Sequence, residues 1–368
     1  MGIRAICSDL RAALLQALDH FRLHTPRPAA APAAAKPEAT FPAVDCSLRP
    51  EWLLPDLEFP VPDWCQVWDW AQGFPEEQRH ALWCGVARHW ATRIAKTFGG
   101  GCNVYETANV FAVLPGDIDR GKRAARFYEE LLGRLRTTLG DMALPKWYGK
   151  FTVFVAPERD TYFRYHAIYT RPGEHKQSGG FYVNRGYGHV VLPSPESMFD
   201  TRVLAHELCH AQLCHHTLPL WLNEGVTQTT ETAIAGRTVS ADHETTLKDH
   251  RAFWTPDNIA LFWSGKGFDT PGDTSKLSYN LAYLVVRAFL SVDRKPMAEV
   301  VRQARPDDAG FAAFAAVYGQ TPADLLAELF GDGDWERGHL RPAAPDEPAP
   351  EGSSCTGTLL PGSGCPVS

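Results

Sequence analysis

The stretch that decides the fold reads His206-Glu207-Leu208-Cys209-His210, with Trp221-Leu222-Asn223-Glu224-Gly225 a short way on. Residues four apart on an α-helix lie on one face, so His206 and His210 can reach one point outside it. Two imidazole nitrogens suit a divalent metal ion, and Glu224 on a second helix offers a carboxylate oxygen as third ligand. Glu207, one step round from the histidines, can meet a water held at a fourth position. Three protein ligands, one open position and an adjacent carboxylate are the parts of a catalytic zinc site rather than a closed structural one. Apolar Val203, Leu204 and Leu208 put the first helix partly in the interior, and Asp200 stands where an N-cap belongs.

The chemistry follows from the ligand set. An ion there polarises a carbonyl and acidifies its water. Glu207 is placed to take that water's proton and hand it to a leaving group. Gln228 and Glu231 share the Glu224 face of their helix and can orient an imidazole or face solvent. His215 and His216 read as loop residues. Cys209 points about 80° away from the ligand face, which makes it a packing residue.

His206, Glu207, His210 and Glu224 resemble the gluzincin metallopeptidases. The closer likeness is to the small bacterial peptidase MA-like domains, which carry HE-x-x-H and then W-L-x-E-G. Lys146 to Val155, Gly179-Gly180-Phe181-Tyr182 and Ser278-Tyr279 are similar to that family's ordered blocks. The likeness runs from Val104 to Phe330 and leaves out the N-terminal region and the tail. It implies an α+β, zincin-like fold: a small mixed sheet with an edge strand beside the HExxH helix, then a helical lobe. It implies one zinc ion per chain on His206, His210 and Glu224, with Glu207 as general base. It implies an oxyanion donor from a later helix, Tyr279 or, one turn on, Tyr283. Gly180, Phe181 and Tyr182 then border a peptide or protein substrate lying along the edge strand. The segment from Gly180 to Asn184 is similar to the G-x-M-E-N segment of the clan's aminopeptidases, but Val183 stands where those enzymes carry Glu. That departure, and the short gap between His210 and Glu224, favour internal cleavage. Zinc follows from the resemblance, since two His and a carboxylate also suit other divalent ions. The runner-up reading is a non-catalytic zinc-binding interaction or scaffold protein that keeps a peptidase fold.

Composition narrows the alternatives. A net charge of −7 without a Lys/Arg run argues against nucleic-acid binding. No run of about 18 apolar residues exists to span a membrane. The N-terminus lacks the apolar core of a signal peptide, so a cytoplasmic protein is expected. The nine cysteines are scattered, which in a reducing compartment reads as free thiols.

The chain divides into five stretches by pattern. Residues 1–24 hold a short amphipathic helix, with Leu10, Leu14, Leu15, Leu18 and Phe21 at helical spacing. Residues 25–45 are an Ala/Pro-rich linker. Residues 46–101 carry Trp52, Trp64, Trp68, Trp70, Trp83 and Trp90 and read as a helical module packed with aromatics. Residues 102–335 form the mixed domain. Strands are expected at 109–114, 151–156, 180–184 and 189–192, the last two a hairpin around Gly186-Tyr187-Gly188. Helices are expected at 119–139, 157–166, across the HExxH motif, at 220–235, at 277–290, and as two pieces of 311–330 split at 319–322. After Gly331 the composition turns Pro/Gly/Ser-rich, and 336–368 reads as a disordered tail.

Overall fold

The computed structural model describes residues 46–145, 147–170, 179–236, 243–292 and 294–338. The expected N-terminal helix, the linker and most of the tail lie outside those residues. The chain separates into two compact units. Among the described residues one holds 46–137 and 143–215, and the other holds 138–142 and 216–338.

The first unit is built on a mixed sheet. Helices α1 (Trp64–Gln72) and α2 (Glu76–Phe98) lead into strands β1 (Asn103–Glu106) and β2 (Val110–Leu114). Helix α3 (Ile118–Leu139), β3 (Phe151–Val155), α4 (Arg159–His166), β4 (Phe181–Val183), β5 (His189–Leu192) and α5 (Thr201–Leu213) follow. The strand order is β1-β2-β3-β5-β4. Strands β2, β3 and β5 run parallel, while β1 and β4 are antiparallel edges. The register sets Val153 beside Val190 and Tyr182 beside Val190 on its other side.

The three central strands are buried along their length. Such runs of Val, Phe and Leu belong to strands covered on both faces. On one face Phe111, Val113, Phe154 and Val191 join Trp64, Trp83, Trp90, Phe98 and Tyr165 in a single core. Trp90 is fully buried, meets Phe154 and His189 edge-on at 5.0 and 4.9 Å, and donates its indole N–H to the Pro60 carbonyl. The Trp-rich stretch and the sheet therefore share one core. Trp70 is partly exposed; Trp52, Trp64, Trp68, Trp83 and Trp90 are buried.

The second unit is helical: α6 (Leu220–Ala235), α7 (His243–Phe253), α8 (Ala260–Trp263), α9 (Lys266–Asp269), α10 (Asp273–Val292), α11 (Arg294–Gln303), α12 (Phe311–Tyr318) and α13 (Pro322–Phe330). Helix α6 lies against α10, and Trp221 anchors it among Phe262, Trp263 and Phe314. The two expected helices of 311–330 form as read, with Gly319 at positive φ ending one and Thr321 capping the next. No described helix is long and apolar enough to cross a membrane.

One expectation needs correction. The nine cysteines are not all free, because Cys65 is disulfide-bonded, while Cys102 and Cys214 are free thiols. A bridge needs two sulfurs brought together by tertiary folding, which spacing along the chain does not record. Past Gly331 the chain stays folded through Trp335, within the expected bounds of the domain. Trp335 is buried, donates its indole N–H to the Gly331 carbonyl, and accepts from the Trp263 indole at its own carbonyl. One aromatic anchor outweighs the Gly/Asp-rich composition around it.

Candidate metal centre

Helix α5 is set locally. The Asp200 carboxylate accepts from the backbone N–H groups of Arg202 and Val203 at 3.0 and 3.1 Å, the N-cap read from the sequence. Leu204, Ala205, Leu208 and Cys209 are buried along the helix, which lies against β4 and β5. His206 and His210 are thereby turned to the other side and stay partly exposed. Their Nε2 atoms are 3.2 Å apart, with the rings at 79°. Two nitrogens on one tetrahedral ion at about 2.0–2.1 Å sit about 3.4 Å apart. The imidazole pair therefore already has nearly the spacing of a shared ion.

Helix α6 is set by tertiary packing. Pro219 precedes it without a side-chain cap. The Trp221 indole donates to the Ala309 carbonyl at 2.9 Å. Gly225 explains the last letter of W-L-x-E-G: a Cβ there would come within 2.5 Å of the Ala282 carbonyl oxygen and of Val286. Between those two anchors Glu224 is buried.

The ligand atoms of His206, His210 and Glu224 all lie within 4.8 Å of one another, and no other such group of three gathers among the described residues. Two neutral imidazoles and one carboxylate fit a zinc ion by donor type and by the histidine spacing. Glu207 follows His206 on the same helix and is buried.

The other expected residues are distributed as follows. Tyr279 is half-buried on α10 and meets Phe268 edge-on at 5.0 Å. Tyr283, one turn later, is buried, and Arg287 donates to its hydroxyl at 2.6 Å. Burial pushes the Tyr283 phenol above its ordinary range, with the Arg287 charge opposing. Gln228 is half-buried and Glu231 is buried. His216 turns away to the Met142 carbonyl at 3.2 Å, and burial lowers its pKa. Neither His215 nor His216 belongs to the triad. Arg287 was missed by sequence reading, although its place four residues after Tyr283 on one helix was a usable signal.

Phe181 and Tyr182 open edge strand β4, and Gly180 immediately precedes it. A Cβ on Gly180 would reach Val203 of α5 at 3.0 Å, so the strand approaches the metal-motif helix as closely as glycine allows. Among the described residues no strand pairs with the outer side of β4.

No family model matches the chain, and comparison with curated proteins finds no match.

Proposed function

We propose that the chain is a zinc-dependent metallopeptidase of the zincin-like kind that cleaves within peptides or unfolded protein. The observation that carries this reading is the convergence of two imidazoles and a carboxylate within 4.8 Å, with Glu207 next in sequence to one ligand. His206, His210 and Glu224 would hold the ion. Bound zinc supplies Lewis acidity and brings a water's pKa towards neutrality.

The protein's own groups do the rest. Glu207 accepts the proton of the attacking water and delivers it to the leaving amine. A tyrosine hydroxyl on α10 donates to the oxygen where negative charge develops. Tyr279 is the first choice and Tyr283, one turn on, the alternative, since accepting from Arg287 leaves the Tyr283 O–H able to donate. The outer edge of β4 offers backbone groups to an extended substrate, and Val183 in place of an acidic residue leaves no anchor for a free N-terminus.

The test is zinc content and casein cleavage for the wild type beside Glu207→Gln. Near one zinc per chain in both, with cleavage lost only in the variant, supports the reading. Zinc in both with equal or absent cleavage favours the scaffold alternative.

A further inference from the structure

A cavity of about 230 Å³ opens beside β4, within the sheet-bearing unit. One wall is the end of α4 and the turn after it: His166, Tyr169 and Thr170. The other wall is the strand and its continuation through Arg185. An apolar cavity of roughly 150 Å³ already admits a benzene ring, so this one has room for a large side chain.

The aromatic wall is held in place. The Tyr169 hydroxyl lies 3.3 Å from that of Tyr165, which lies 2.9 Å from Nε2 of His189. His166 is 5% exposed and meets Phe181 edge-on at 4.6 Å. Arg185 is exposed and lines the far end of the cavity. Among the described residues Arg185 forms no ion pair.

A strand added to the open edge of β4 alternates its side chains, with about 7 Å between successive residues on one face. Those on the Phe181 face enter the cavity. Four positions along, past the residue level with Val183, a same-face residue comes level with Arg185.

Resting on the peptidase reading above, we infer that this cavity is a specificity subsite for an aromatic or large aliphatic substrate side chain. An acidic residue four positions away, facing Arg185, completes the recognised pattern. Phe181, Tyr169 and His166 supply the ring contacts, and Arg185 supplies the charge.

The test separates binding from cleavage. Fluorescein-labelled octapeptides carrying Phe-x-x-x-Asp, Asp-x-x-x-Phe, Ala-x-x-x-Asp or Phe-x-x-x-Lys are titrated against full-length Glu207→Gln protein, which would bind without cutting. The better-oriented Phe/Asp peptide should bind about tenfold tighter than Ala-x-x-x-Asp and several-fold tighter than Phe-x-x-x-Lys. Thr170→Trp, which fills the cavity, should erase the Phe preference. Arg185→Glu, an exposed change, should invert the charge preference. Equal binding of all four peptides, no binding of any, or preferences unmoved by both variants would overturn the subsite. Zinc content and casein cleavage judge the peptidase reading on their own. A zinc-loaded, active wild type with no peptide preference sinks the subsite alone, and the preference without zinc sinks the centre alone.

Discussion

The two helices that carry the proposed ligands are held in different ways. Helix α5 starts at a side-chain cap, Asp200, and shows a legible apolar stripe towards β4 and β5. Helix α6 starts after Pro219 with no such cap and depends on Trp221 and on the fit of Gly225 against α10. A chelating pair four residues apart is guaranteed by helix geometry alone. The third ligand is only as well placed as the lobe that holds its helix, so the two should respond differently to damage.

The largest expected effect is in the helix that depends on packing. Trp221→Ala removes a fully buried indole and should cost about 3–5 kcal/mol in urea unfolding. Zinc affinity should fall with it, because Glu224 lies one turn on. A loss under about 1 kcal/mol would show that Trp221 is not the anchor.

The next effect concerns β5, on which α5 leans. His189 donates Nδ1–H to the Tyr187 carbonyl and accepts from the Tyr165 hydroxyl, and burial lowers its pKa to about 4. The unfolded chain binds this proton near pH 6.5, so stability is complete above that value. It should decline by about 3 kcal/mol as pH falls from 6.5 to 4. His189→Gln should flatten that part of the stability-against-pH curve, and an unchanged curve would count against it.

Gly225→Ala sharpens the contrast. Its methyl meets backbone, which cannot rotate away, so a loss of about 1–3 kcal/mol is expected. Zinc affinity should fall while the His206–His210 pair stays intact. Asp200→Ala is the smallest, at about 1 kcal/mol, because one cap supports a helix that packing also holds. An Asp200→Ala loss larger than that of Gly225→Ala would reverse the comparison.

Local pattern made much of this legible. Apolar periodicity located α3, α6 and the two helices after Gly310, and the Gly-Tyr-Gly turn located the β4–β5 hairpin. Strand β1 was not seen, since Asn103 and Glu106 are exposed at its ends and hide its alternation. Helices α7 and α11 were not seen either, because charged residues crowd their sequences. The pairing of Trp90 with Phe154 and His189 is long-range and leaves no mark in either stretch alone. In the candidate site, the His pair and Glu224 were readable from spacing. The Arg287 contact to Tyr283 had a signal in its four-residue spacing, whereas the aromatic cavity beside β4 needed the fold.

The most direct measurement is zinc-edge X-ray absorption on the full chain loaded with one equivalent of zinc. Two imidazole nitrogens and light oxygen ligands at about 2.0–2.2 Å, with no sulfur, are expected. A sulfur shell near 2.3 Å, which would bring in Cys209 or Cys214, or failure to retain the metal, would contradict the proposed centre.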